Sequence, residues 1–172
     1  MNIEILSATP QHRTLLRHLF ELYCYDFSPM DGEDVSDTGR YAGDDFLAHW
    51  PESGWHPFLV KVEGRWAGFA WVTERSQVNP GAPAHFWMGE FFVMQKYRRR
   101  GVGEYVATRL FDLFPGTWEV GEIANNVNAQ AFWRKVIERY TGGQYEERTP
   151  GLEQWQGPIQ IFNNEIRKGK RP

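Results

Sequence analysis

Residues 85–115, HFWMGEFFVMQKYRRRGVGEYVATRLFDLFP, constrain this chain most, because three local signals follow one another there in an order that few folds use. Residues 85–94 are aromatic and β-branched enough for a buried strand, and the charged turn 95–100 must end it. Beyond the turn, Val102, Val106, Leu110 and Leu113 recur at spacings of three and four, on one face of a helix that starts at the glycines and stops at Pro115-Gly116. The segment reads as strand, turn, helix.

The join Arg98-Arg99-Arg100-Gly101-Val102-Gly103 is where chemistry can sit. A helix N-terminus exposes unpaired N–H groups and carries a partial positive charge, so an anion belongs there. Two glycines permit close backbone approach and dihedrals closed to other residues, and three arginines add charge and donors, which suits a pyrophosphate. A nucleoside-triphosphate loop needs Lys and then Ser or Thr after its last glycine, and Glu104 and Tyr105 stand here instead. A dinucleotide fingerprint needs a third glycine where Val106 stands. A plain helix-start turn remains the other reading of these six residues.

Composition excludes several classes. At 172 residues the chain suits one core that buries roughly two-thirds of its unfolded surface. A net charge of −3 speaks against nucleic acid, with the three arginines and the basic tail as local exceptions. No run approaches the roughly 20 apolar residues that cross a bilayer, so no membrane partner is expected. The single Cys24 allows no intramolecular disulfide, and the first residues lack the basic start and apolar core of a signal peptide, which points to the cytoplasm. The histidines form no close metal-type pair and no Gly-x-Ser-x-Gly elbow occurs, so no metal and no serine hydrolase is expected.

In chain order, residues 2–6 alternate as an edge strand, and Thr9-Pro10 opens a helix with Leu15, Leu16, Leu19, Phe20, Leu22 and Tyr23 as its apolar face. It is expected to end near 26–28, before Pro29, with Cys24 packed inside its pattern. From Glu21 to Gly54 nine acidic residues face only Arg40, and 44–50 suits a short helix. Residues 58–63 and 66–74 form a hairpin across Gly64-Arg65. A strand at 117–123, a helix at 128–140 with Ala129, Phe132, Val136 and Ile137 on one face, and strands at 142–147 and 158–162 complete the chain.

The phosphate loop resembles the Arg/Gln-x-x-Gly-x-Gly/Ala loop of the GNAT superfamily of N-acetyltransferases, with Arg98, Gly101 and Gly103 at its key positions. A second stretch, Asn126-Val-Asn-Ala129-Gln-Ala-Phe-Trp133-Arg-Lys135, resembles that family's Asn-x-x-Ala-x-x-x-Tyr-x-Lys pattern at the proper distance. The order of elements is similar to the whole GNAT fold. The resemblance implies a single α/β domain over 1–166, with a mixed central sheet of about seven strands splayed between the fourth and fifth and flanked by about four helices, then a basic tail at 167–172.

What the resemblance implies for function is direct transfer of an acetyl group from acetyl-CoA to an amine. The pantetheine arm of such a cofactor inserts beside the central strand, at Phe91, Phe92 and Val93, and the backbone from Arg99 through Arg100, Gly101, Val102 and Gly103 to Glu104, with Arg98, holds the pyrophosphate. Asn126 matches a residue that contacts the CoA arm, and it is equally placed as a helix cap. Trp133 stands at the CoA site where many members carry a tyrosine that protonates the leaving thiolate, and an indole cannot act as that acid. Glu90 occupies a position where some members carry a general base, its plainer role being an ordinary strand carboxylate. A domain that binds acyl-CoA without transferring it is the alternative, and a homodimer is compatible with the resemblance.

The acceptor follows from charge. In the resembling family the segment between the first two helices covers the acceptor side, and here that segment is the acidic run. Asp26, Asp31, Glu33 and Asp34 are then the expected contacts of a small or peptide-borne amine of positive charge, a solvated loop being the other reading.

Overall fold

The computed structural model describes residues 1–41, 47, 50, 52–83, 85–151 and 155–165. Its strands are β1 (Ile3–Ser7), β2 (Trp55–Val62), β3 (Arg65–Thr73), β4 (His85–Val93), β5 (Thr117–Gly121), β6 (Glu146–Arg148) and β7 (Ile159–Asn163). Its α-helices among the described residues are α1 (Arg13–Asp31), α2 (Val102–Leu113) and α3 (Val127–Thr141), beside 3-10 turns at Pro10–His12 and Gln95–Tyr97. The strands make a seven-stranded sheet in the order β1-β2-β3-β4-β5-β7-β6. This is the mixed α/β sheet expected; the short helix expected at 44–50 and the tail at 167–172 lie largely outside the described residues. Among the described residues no helix is long and apolar enough to cross a membrane. The chain divides into two compact units, Met1–Trp71 with Glu90–Val102 and Val72–Gly89 with Gly103–Pro172.

In the first unit β1 pairs antiparallel with β2 from Ile3↔Val62 to Ser7↔Phe58. The β2–β3 turn is Glu63-Gly64, not Gly64-Arg65. Both residues are left-handed, at φ 50° and 70°, the geometry that matches strand twist in a two-residue hairpin. The core gathers Leu16 and Leu19 of α1 with Leu47, Trp50, Leu59, Phe69, Trp71 and Phe92, and each such large side chain contributes about 1.5–3 kcal/mol by leaving water. Gly68 is required there, because a Cβ would lie 2.0 Å from the Phe92 carbonyl oxygen.

Helix α1 corrects an expectation, since it runs through Pro29 to Asp31 and ends at left-handed Gly32, whose N–H donates to the Ser28 carbonyl at 2.9 Å. Proline deprives the Tyr25 carbonyl, four residues back, of its helical donor. The Ser28 hydroxyl donates to that carbonyl at 2.9 Å and takes over the bond, so the helix continues.

In the second unit β4 runs parallel to β5 through His85↔Thr117, Phe86↔Trp118 and Trp87↔Glu119, and β5–β7 and β6–β7 are antiparallel. The β4–β5 ladder ends at Trp87↔Glu119, while β4 itself runs on to Val93. Phe111 of α2 centres the core, 4.8 Å from the Trp118 ring and 4.9 Å from Phe162. Leu113, expected on the buried face, is 57% exposed, because the face centres on Val106, Ala107, Leu110 and Phe111 and Leu113 returns to its rim in the last turn. The orphan carbonyls of that turn are served by Asn164, which donates to Phe111 and Phe114, and by the Trp118 indole. Gly142, expected to open a strand, is instead the left-handed cap of α3, and β6 begins only at Glu146.

Candidate functional site

The turn between β4 and α2 holds one of its arginines and one of its glycines in unusual backbone conformations. Arg98 is extended, at φ −68° and ψ 161°, while Arg99 and Gly101 are left-handed at φ 59° and 80°. The left-handed residues stand on either side of Arg100, and the α2 N-terminus, whose first N–H groups lack helical partners, follows at once. For Gly101 this is the freedom that glycine supplies; for Arg99 it costs about 1–2 kcal/mol, a strain that the sequence does not reveal. Gly103 lies in the first turn of α2 and is not among the left-handed glycines.

The three arginines differ. Arg98 Nε donates to the Val93 carbonyl at 2.6 Å, its NH1 and NH2 grip the Asp26 carboxylate, and its guanidinium lies 5.7 Å from the Phe92 ring. Gln95 donates to the same carboxylate at 2.9 Å. Arg98 thus ties the start of the turn to α1, whereas Arg99 and Arg100 are exposed. Asp26, expected at the acceptor, is held here by Arg98 and Gln95.

Along β4 the side chains alternate, so Glu90 and Phe92 share the α1 face, and Phe91 and Val93 point the other way. On α1, Tyr23 faces them. Its ring lies 5.9 Å from both Phe69 and Phe92, 5.4 Å from Phe20 and 5.3 Å from Phe27, and its hydroxyl lies within hydrogen-bonding reach of the Glu90 carboxylate. Part of the residue reaches solvent, but the hydroxyl sits deep among protein atoms. That burial first, and the Glu90 charge second, push the phenol well above its ordinary range, so it keeps its proton. Burial, then Glu21, Glu90 and Asp31, likewise push the neighbouring Cys24 thiol up to about 11, which makes it an inert packing group.

The remaining acidic residues sit at the end of α1 and beyond. Asp31 closes the helix and accepts the Glu33 N–H at 3.0 Å, and Glu33 and Asp34 are exposed past Gly32. Glu21 takes the Arg40 guanidinium at 3.1 Å and the Tyr41 N–H at 2.9 Å, so the run's one arginine is spent on it.

In the second unit Asn126 caps α3, accepting the Ala129 N–H at 3.0 Å. Trp133 is 5% exposed and packs 6.3 Å from Phe111. Glu104 in the first turn of α2 pairs with Arg139 at 3.0 Å, which offsets a carboxylate placed near the arginine turn.

Of the residues singled out in the sequence, the first unit brings Glu90 and Phe92 onto one face of β4 and Asp26 onto Arg98, and it adds Tyr23, which the sequence placed only in the apolar face of α1. The available signal was a phenol inside the apolar face of a helix, since a buried tyrosine hydroxyl needs a partner.

A sequence profile of the acetyltransferase (GNAT) family matches residues 16–137. No curated protein sequence matches the chain closely enough to mark a relative. Among solved structures it is similar to an acetyltransferase from Thermus thermophilus, with TM-score 0.71, 11% identity, and 95% of this chain and 98% of that one covered. A chimeric spermidine N-acetyltransferase from Vibrio cholerae and hSSAT gives TM-score 0.64 at 10% identity, covering 99% and 100%. An aminoglycoside acetyltransferase solved with coenzyme A gives 0.65 at 12%, covering 99% and 100%. At such identities these likenesses speak for the fold alone.

Proposed function

Because this chain belongs to the acetyltransferase (GNAT) family and is an acetyl-CoA-dependent N-acetyltransferase, we propose that it transfers acetyl directly to a primary amine on a cationic small molecule or peptide. Acetyl-CoA, when bound, supplies the acetyl group as a thioester. In this reading the backbone from Arg99 to Glu104, aided by Arg98, holds the pyrophosphate, and the left-handed pair Arg99 and Gly101 at the head of α2 supports that role. Phe91, Phe92 and Val93 back the pantetheine arm, and Asn126 and Trp133 serve the CoA moiety. Glu90 removes the proton that keeps an ammonium from acting as a nucleophile.

The observation that carries the acceptor reading is the acidic setting of Glu90. Tyr23 and Cys24 beside it both feel Asp31, and Cys24 also feels Glu21. Such a setting favours an ammonium and raises its pKa, which makes a base necessary. Spermidine and an aminoglycoside, the acceptors in the names of two structural neighbours, carry amines of that charge. Asp26, Asp31, Glu33 and Asp34 are the contacts in this reading.

A thiol-release assay over an amine panel tests it. Polyamines, aminoglycosides and lysine-like amines should turn over ahead of neutral or anionic amines. Joint replacement of the four carboxylates by amides should raise the acceptor KM about tenfold. Preference for neutral or anionic acceptors, or an unmoved KM, would reject the cationic acceptor.

A further inference from the structure

A strand carboxylate between Gly89 and Phe91 has no reason of its own to hold one rotamer, yet a general base must present its oxygen to the proton it takes within about 3 Å. In the first unit the constraint comes from α1. Tyr23 packs against Phe20, Phe27, Phe69 and Phe92, at ring separations of 5.3–5.9 Å, and these contacts restrict where its hydroxyl can lie. Phe92 is the next residue on the Glu90 face of β4, so the same ring that braces the tyrosine belongs to the strand that carries the carboxylate. Phe92 is in turn covered by Arg98.

Resting on the reading of Glu90 as the base, we propose that Tyr23 is its positioning residue: the hydroxyl donates to the Glu90 carboxylate and holds it toward the acceptor ammonium. Tyr23 is not the missing acid of the reaction, because burial holds its proton too firmly to be given to a thiolate. The proton taken from the ammonium rests on Glu90 and passes to water. The amine then forms the C–N bond, the C–S bond breaks, and the nitrogen's second proton goes with the departing thiolate by way of solvent. Tyr23 keeps its own throughout. A hydrogen bond donated to a carboxylate also favours its ionised form, so the hydroxyl keeps the base in its working state at lower pH. The other groups near this pair come from α1 as well: Asp31, whose charge opposes another negative charge, and the protonated Cys24 thiol, on which Glu21 also acts.

The test is Tyr23→Phe, which removes one oxygen from a cage whose ring contacts phenylalanine can keep. The acidic limb of kcat/KM for the acceptor should move up by about one pH unit, with the acetyl-CoA KM unchanged. The Glu90 carboxyl carbon, titrated by NMR in the free enzyme, should move by the same amount, and this reading needs no turnover. Glu90→Gln is the companion variant and should lower kcat at least about 100-fold without weakening acetyl-CoA binding. Full turnover in Glu90→Gln would remove the base and Tyr23's role with it. Lost turnover in Glu90→Gln, together with an unmoved limb and an unmoved carboxyl titration in Tyr23→Phe, would overturn Tyr23 alone.

Discussion

Glu122 is a carboxyl that the fold keeps protonated. It follows β5 on the side taken by Trp118 and Val120, is 4% exposed, and burial pushes it up from 4.5 to about 8 against the opposing Gln160 amide. Gln160 Nε2 donates to one of its oxygens at 3.2 Å, while Oε1 meets no partner among the described residues. Between 4.5 and about 8 the folded chain holds a proton that the unfolded chain releases, so rising pH favours unfolding, and this group's contribution to stability falls across that window. Glu122→Gln should therefore leave stability near pH 5 unchanged and raise it at pH 8 by about 1–3 kcal/mol, seen as a higher melting temperature. Parallel wild-type and variant curves over that range would contradict the buried neutral acid. The alternation that turns Glu122 inward was readable in the sequence. That water does not reach it was not, because its cover includes Gln160, distant in the chain.

At the scale of elements, local chemistry decided most outcomes and a neighbour corrected the rest. Helix α3 starts at the asparagine and stops at the glycine, since both signals act within four residues. Helix α1 overran its proline because Ser28, one residue earlier, supplies the donor that Pro29 lacks. Ser28→Ala should thus cost about 0.5–1.5 kcal/mol and speed amide exchange in the last turn. In a Pro29→Ala background, where the backbone regains an N–H for the Tyr25 carbonyl, the same change should be nearly neutral. Equal costs in the two backgrounds would deny the substitution of one donor for another.

Over the whole molecule a net charge of −3 is weak, and what matters is how it is placed. Three arginines precede α2, and the acidic run begins on α1. Attraction of a cationic acceptor should weaken as salt brings the screening length to about 8 Å, lowering kcat/KM for that amine while kcat holds; a flat salt profile would make the run mere solvation. Element order, the strand-turn-helix around residues 85–115 and the family likeness were all legible in the sequence, because periodicity, caps and glycines act over a few residues. The sequence also marked Glu90 and the arginine turn as chemically able. Only the tertiary structure chose their companions. Arg98 meets Asp26 across 72 residues, and Tyr23 meets Glu90 from another element, because β4 and α1 bury their apolar sides in one core. A hydrogen bond is selected by which donor packing leaves within about 3 Å, and no local pattern carries that distance.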